Sequence, residues 1–167
     1  MDIKLKSLSK KAIPSALDKA RQYRLLNEPA EAESICLDIL NVEPDNQQAL
    51  IIMLLAITDQ FESELNPAFS NAQEILDRLC DGYCKSYYAG IIFERRAKTH
   101  LSRGGPGSDT LAYSWFRQAM EAYEGAIDCR TSDNYEAILR WNTCARILIN
   151  HPELKPGQDL QEEHMLE

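Results

Sequence analysis

Residues 13–46, IPSALDKARQYRLLNEPAEAESICLDILNVEPDN, carry the pattern of two helices joined by a short turn. Pro14 lies in the first turn of the first helix, where its missing N–H costs no hydrogen bond. Small and apolar residues at positions 16, 20, 23 and 26–27 then keep the 3.6-residue period. Glu28 and Pro29 begin a second helix, and Pro44 ends it. The stretch therefore predicts a helical hairpin.

The rest of the chain predicts five more helices and no convincing strand. We expect these helices at about residues 46–62, 66–79, 83–102, 108–129 and 131–150. The first of them is apolar nearly all round, which is typical of a helix buried on more than one side. A longer link is expected at residues 61–66, because Asn66 and Pro67 form a cap for the helix that follows. The short connections elsewhere favour an antiparallel arrangement of consecutive helices. Such helices form either a helical bundle or a stack of helical hairpins.

Small and aromatic residues recur at regular spacing along these helices. In the first hairpin they lie at the expected helix crossings, and a proline closes the unit: Ala20, Tyr23, Ala32, Cys36, Ile39 and Pro44. This order resembles the tetratricopeptide repeat (TPR), a helix–turn–helix unit of about 34 residues. The early Trp of that family is absent, since Ala16 holds its place.

Parts of the same spacing return further along the chain. The second-helix pattern recurs twice and the first-helix pattern once: Ala72, Leu76 and Leu79; Ala119, Tyr123 and Ala126; Gly90, Phe93 and Ala97. The resemblance implies an all-α fold of about three antiparallel hairpins, stacked as a TPR-like right-handed solenoid. A C-terminal capping helix with a polar outer face would close the stack. An unrelated helical bundle is the alternative.

Charge divides the chain into three segments. Residues 1–12 form a basic arm, residues 13–150 form the TPR-like domain, and residues 151–167 form an acidic tail that we expect to be largely disordered. The net charge of the chain is −8. An acidic body repels phosphates and anionic lipids, so we expect no nucleic-acid partner.

The hydropathy pattern indicates the compartment. No apolar run approaches the ~18 residues of a membrane span, and the N-terminus has no apolar signal region. We therefore expect no membrane insertion and a cytoplasmic location. There the five cysteines should be reduced, and we interpret them as small core residues: Cys36, Cys80, Cys84, Cys129 and Cys144.

The residue types that carry catalysis or bind metals form no recognised motif. The three histidines are scattered, and Cys80 and Cys84 are not separated by the two residues usual in zinc sites. The glycine-rich loop at residues 104–107 precedes a helix, where a phosphate could dock, but no strand precedes it. We therefore expect no catalytic residues, no metal and no cofactor.

The TPR resemblance also implies a binding surface. In that family the first helix of each hairpin lines a concave groove, which binds an extended or helical protein segment. Mapped by the family spacing, this groove has an apolar floor and several arginines for a carboxylate-bearing partner: Leu17, Arg21, Arg24, Ile51, Leu55, Tyr87, Ile91, Arg95 and Arg140. The basic strip at residues 94–103 is alternatively a solvated helix face with i,i+4 pairs.

The function that follows is a protein–protein interaction scaffold, not an enzyme, that holds a partner segment in a rigid groove. One alternative is a dedicated chaperone of a secreted or assembling client, because small acidic TPR proteins of this length include such chaperones. A second is a homo-oligomeric structural protein, for instance a homodimer formed through an apolar helix face. A third is an enzyme or cofactor binder built in a helical bundle.

Overall fold

The computed structural model describes residues 3–157, and in this range the chain is all-helical, without strands. The all-α prediction and its seven helices are confirmed. A 3-10 turn at Lys10–Ala12 precedes the helices, which are α1 (Ile13–Leu25), α2 (Pro29–Val42), α3 (Gln47–Asp59), α4 (Phe61–Asp77), α5 (Gly82–Arg103), α6 (Ser108–Asp128) and α7 (Glu136–Asn150).

The chain divides between Cys80 and Asp81 into two compact units. Unit 1 contains α1 to α4, and unit 2 contains α5 to α7. The TPR-like domain predicted over residues 13–150 spans both units.

In unit 1 each helix packs against the next, and α1 also contacts α3. Ala20 of α1 and Ala32 of α2 are fully buried, as the small-residue pattern predicted for a close helix crossing. The helix α3 is buried on several sides, as its apolar sequence predicted, and its side chains form the centre of the unit. Asn46 caps α3, because its side chain accepts a hydrogen bond of 3.0 Å from the Ala49 backbone N–H.

The link predicted at residues 61–66 is wrong, since α4 already begins at Phe61 and contains Pro67. A proline inside a helix removes one backbone hydrogen bond and costs about 3 kcal/mol. Phe61 and Leu65 are both buried. Burial of two such side chains contributes about 1.5–3 kcal/mol each, which offsets the proline and extends the helix in front of it.

In unit 2 a long helical hairpin of α5 and α6 dominates, and α7 packs against α6. The small residues predicted for close crossings, Ala97, Ala119 and Ala126, are fully buried. The outer face of α7, expected to be polar for a capping helix, is mixed, because Leu139 and Ile149 are exposed there beside Glu136, Arg146 and Asn150.

Two segments connect and follow these helices. The loop between α5 and α6 has positive φ at Gly104, Gly105 and Gly107, which explains its glycines. After α7, Leu154 is buried and Gly157 lies close to Thr110. The disorder predicted for the acidic tail concerns mostly residues 158–167, which lie outside the described residues.

The cysteine prediction is correct in part. Cys36 and Cys144 are buried, and no cysteine forms a disulfide in the described range. Cys80 and Cys129 are exposed, because both lie just beyond the last turn of a helix and not on its packed face. No helix among residues 3–157 has the length and apolarity that a bilayer crossing requires.

Candidate functional site

A bidentate ion pair joins the first helices of the two hairpins in unit 1. The Nε of Arg24, near the end of α1, donates to Asp59 Oδ2 at 2.7 Å, and its Nη2 lies 3.3 Å from Oδ1. Both side chains are only 23% exposed. Because each residue lies at the C-terminal end of its helix, the pair fixes α1 and α3 side by side, pointing in the same direction.

The other unit 1 residues predicted for the groove lie on the same two helices. Arg21 is exposed and donates to Asp18 Oδ1 at 2.9 Å and to Gln48 Oε1, on α3, at 2.7 Å. Ile51 and Leu55 are half-buried, and the helical period places them on α3 between Gln48 and Asp59. Leu17 is only 7% exposed and belongs to the core of unit 1, although it also lines a cleft at the amino-terminal ends of α1 and α3. We call the surface formed by Arg21, Arg24, Ile51 and Leu55 the α1–α3 surface.

The ion pair across this surface predicts a measurable contribution to stability. The change Arg24→Met should lower the free energy of unfolding by about 1 kcal/mol, since a partly buried bidentate pair is worth more than an exposed one. Urea denaturation of the variant and of Arg21→Met measures this. Arg21→Met is the control and should cost less, because Asp18 is 80% exposed. Equal losses in the two variants would contradict the prediction.

A buried carboxylate forms the polar centre of unit 2. Glu94 of α5 is fully buried, and its Oε2 accepts a hydrogen bond of 2.7 Å from the hydroxyl of Tyr123 on α6. Its Oε1 accepts from Lys98 Nζ at 2.5 Å. The Nε of Arg140, on α7, lies 3.2 Å from Oε2 in an ion pair. One side chain thus connects all three helices of the unit, and we call these four residues the Glu94 cluster.

Charge and burial fix the protonation of the partners in the Glu94 cluster. Burial and the nearby Glu94 carboxylate raise the pKa of Tyr123 far above its usual range. The hydroxyl therefore stays protonated and acts as the hydrogen-bond donor to Glu94. For Arg140, burial lowers the pKa, but the Glu94 carboxylate, Tyr123 and Tyr87 together outweigh burial and the net pKa is raised. Arg140 therefore stays charged and serves as a counter-ion within unit 2.

A glycine on α5 creates the space for Tyr123. A Cβ added at Gly90 would overlap Cε1 of the Tyr123 ring and would lie 2.6 Å from Cδ1 and 2.8 Å from Cζ. Only a residue without a side chain lets this fully buried ring lie against the α5 backbone. The contact sets the separation of the two helices and aims the hydroxyl at Glu94.

The remaining predicted groove residues differ in exposure. Tyr87 is half-buried and stacks on Tyr83, with ring centroids 5.7 Å apart, and burial raises its pKa to about 12. Arg95 is half-buried on α5. Ile91 is only 4% exposed and belongs to the core of unit 2, because it lies on the packed side of α5. In unit 2 the predicted apolar floor at Ile91 is therefore core and not surface.

The basic strip on α5 has several partners within unit 2. The guanidinium of Arg96 lies 4.2 Å from the centroid of the Trp115 ring, a cation–π contact between α5 and α6. Phe93 also packs on Trp115, with ring centroids 5.5 Å apart. Lys98 pairs with Glu94 at the i,i+4 spacing of the alternative interpretation. Part of the strip therefore serves packing, as that alternative expected.

Sequence reasoning did not single out Glu94, the most buried charge of the described residues. Its neighbours Arg95 and Arg96 made it resemble one member of a solvated charged strip. The signal that could have found it is its spacing, since Glu94 lies four residues after Gly90 and three before Ala97. Those two positions were predicted to be close crossings, and the same helical face includes Glu94.

Within residues 3–157 no group of three or more His, Cys, Asp or Glu side chains is placed to hold a metal ion. No protein-family model, curated protein or solved structure matches this chain.

Proposed function

We propose that the protein is a TPR-like interaction scaffold and that the α1–α3 surface binds a segment of a partner protein. The observation that carries the proposal is the Arg24–Asp59 pair, which holds the first helices of two successive hairpins side by side. The proposal is also supported by the fully buried Ala20 and Ala32, which are the small residues of the TPR spacing. In unit 2, α5 and α6 would supply a further hairpin and α7 a closing helix.

The chemistry of the surface favours a peptide over a small molecule. Half-buried Ile51 and Leu55 offer apolar contacts, and the exposed Arg21 beside them can donate to a carboxylate or a backbone carbonyl. The helices that carry these side chains are fixed by packing and by the ion pair. A partner segment therefore loses its own freedom on binding, while the surface loses little.

Affinity capture with a pair of matched variants tests this proposal. The variant Arg21→Glu/Ile51→Gln changes one cation and one apolar side chain of the α1–α3 surface. The control Lys19→Glu/Leu37→Gln makes the same two kinds of change at exposed positions of α1 and α2. We expect a partner from native extract to bind the wild type and the control, and to lose at least tenfold in affinity for the first variant.

The alternative outcomes separate the other functions. Equal binding of the partner by both variants would overturn the assignment to the α1–α3 surface. A single partner that strongly raises the thermal midpoint of the protein would favour the dedicated chaperone, since a ligand that binds only the folded state stabilises that state by mass action.

A further inference from the structure

The exposed side of α7 carries a regular stripe that none of the contacts above uses. Its members are spaced by four, three, four and three residues, so those within the helix share one face. This α7 stripe consists of Tyr135, which directly precedes α7, and of Leu139, the half-buried Asn142, Arg146 and Ile149. Tyr135, Leu139 and Ile149 are 57%, 63% and 76% exposed. Three large apolar side chains in water, on and directly before the final helix, indicate an interaction surface.

The two ends of the stripe are equidistant from Asn142, since Tyr135 precedes it by seven residues and Ile149 follows it by seven. Leu139 precedes Asn142 by three residues and Arg146 follows it by four, so these two positions are offset by one residue. In an antiparallel pair with a two-fold axis at Asn142, each position meets its symmetry-related position on the identical helix, and Tyr135 then meets Ile149. We propose that the partner of the α7 stripe is a second copy of this chain, packed with its α7 antiparallel to the first across a two-fold axis at Asn142.

Size and charge at the paired positions agree with this arrangement. Tyr135 of one copy lies opposite Ile149 of the other, which pairs two exposed apolar side chains at each end. Beside the axis, Leu139 lies opposite the small Ala145, since each is three residues from Asn142, so a large residue meets a small one. The amide of Asn142 lies on the axis and can donate to and accept from its own copy.

The flanking charges select the antiparallel direction. Glu136 and Arg146 are both exposed on the same edge of α7, ten residues apart. In the antiparallel pair Arg146 of one copy lies within one helical turn of Glu136 of the other, so the dimer forms two such ion pairs. In a parallel pair, by contrast, Glu136 would lie beside Glu136 and Arg146 beside Arg146, which repels.

The expected dimer is a reversible one. A helix of this length is about 22 Å long, and one pair of such helices buries on the order of 1,000 Å² in total. That area lies at the lower limit of specific interfaces, so we expect dissociation in the micromolar range. Binding at the α7 stripe is independent of the function proposed for the α1–α3 surface, and each proposal can fail without the other.

Sedimentation equilibrium of the full chain at concentrations up to about 100 µM tests the inference. The wild type should form dimers, and Leu139→Asp/Ile149→Asp should be monomeric with an unchanged circular dichroism spectrum. The control Leu37→Asp changes an exposed leucine of α2 and should leave the dimer unchanged. A monomeric wild type at the highest concentration, or a dimer that survives Leu139→Asp/Ile149→Asp, overturns the proposal.

A charge exchange tests the antiparallel register itself. Glu136→Lys and Arg146→Glu, made singly, each place like charges together and should raise the dissociation constant about tenfold at low salt. The double variant Glu136→Lys/Arg146→Glu restores both ion pairs, and its dissociation constant should return to within about threefold of the wild-type value. A double variant as weak as either single one would overturn the antiparallel arrangement.

Discussion

Replacement of Gly90 by alanine is expected to lower the free energy of unfolding by roughly 2 kcal/mol, although alanine is the better helix former. The propensity of alanine alone would stabilise α5 by about 1 kcal/mol. Against this, the new Cβ would lie 2.6 Å from Cδ1 and 2.8 Å from Cζ of the Tyr123 ring. Carbon atoms in contact are normally about 3.5–4.0 Å apart. The helices must therefore separate, and such overpacking typically costs 1–3 kcal/mol or more.

The ring of Tyr123 has no easy way to move aside. It is fully buried, and its hydroxyl is held by the hydrogen bond to Glu94. A shift that relieves the overlap would lengthen this bond and expose part of a buried carboxylate. In a background that carries Tyr123→Leu, the smaller side chain leaves room for the Cβ. Gly90→Ala should therefore lower the free energy of unfolding by less in that background than in the wild type.

A second glycine of the same hairpin supplies the control. A Cβ at Gly125 of α6 would lie 3.5 Å from Ser86 Oγ, which is an ordinary contact. Gly125→Ala should therefore stabilise the protein by about 0.5–1 kcal/mol. Urea denaturation of both variants gives the comparison. A stabilised Gly90→Ala protein would contradict the proposed role of Gly90 in setting the distance between α5 and α6.

The features of this fold that could be predicted are those that depend on residues close together in the sequence. The helical period identified all seven helices, because the period is a property of neighbouring residues. The apolar run of α3 likewise predicted burial on several sides, as found. The start of α4 was mispredicted, because Pro67 is a strong local signal and the burial of Phe61 is a tertiary one. The prediction for the start of α4 followed the local signal of the proline, whereas long-range packing determines where the helix begins.

The candidate sites were less accessible to sequence reasoning. Gly90 and Tyr123 were both recognised as packing positions, but nothing local shows that residues 33 positions apart touch each other. Arg140 was predicted to face a partner, yet the structure gives it the buried carboxylate of Glu94 as counter-ion. A charged side chain in a helical sequence can face solvent or can pair with a buried group. Only the packing of α5, α6 and α7 shows which of the two applies to Arg140.

The second large effect is expected from Arg140→Met, which should lower the free energy of unfolding by roughly 3 kcal/mol. The reason is the difference in solvation within the ion pair. Glu94 is fully buried, whereas the Arg140 side chain is 31% exposed. Removal of the arginine leaves a buried carboxylate without its guanidinium counter-ion, although Lys98 and Tyr123 still contact it. Methionine keeps much of the aliphatic volume, so most of the loss reflects charge and not packing.

Replacement of the carboxylate instead of the arginine should lower the free energy of unfolding by less. The difference between these two losses is the sharper test. In Glu94→Gln the amide oxygen can still accept the hydrogen bond from Tyr123, while Arg140 and Lys98 can both reach water. We expect a loss of about 1 kcal/mol for Glu94→Gln. In the double variant Glu94→Gln/Arg140→Met no buried charge remains, so its loss should fall well below the sum of the two single losses. Additive losses, or a larger loss for Glu94→Gln than for Arg140→Met, would show that the ion pair does not hold α7 to α5 and α6. The alternative would then be that ordinary apolar packing holds these helices together.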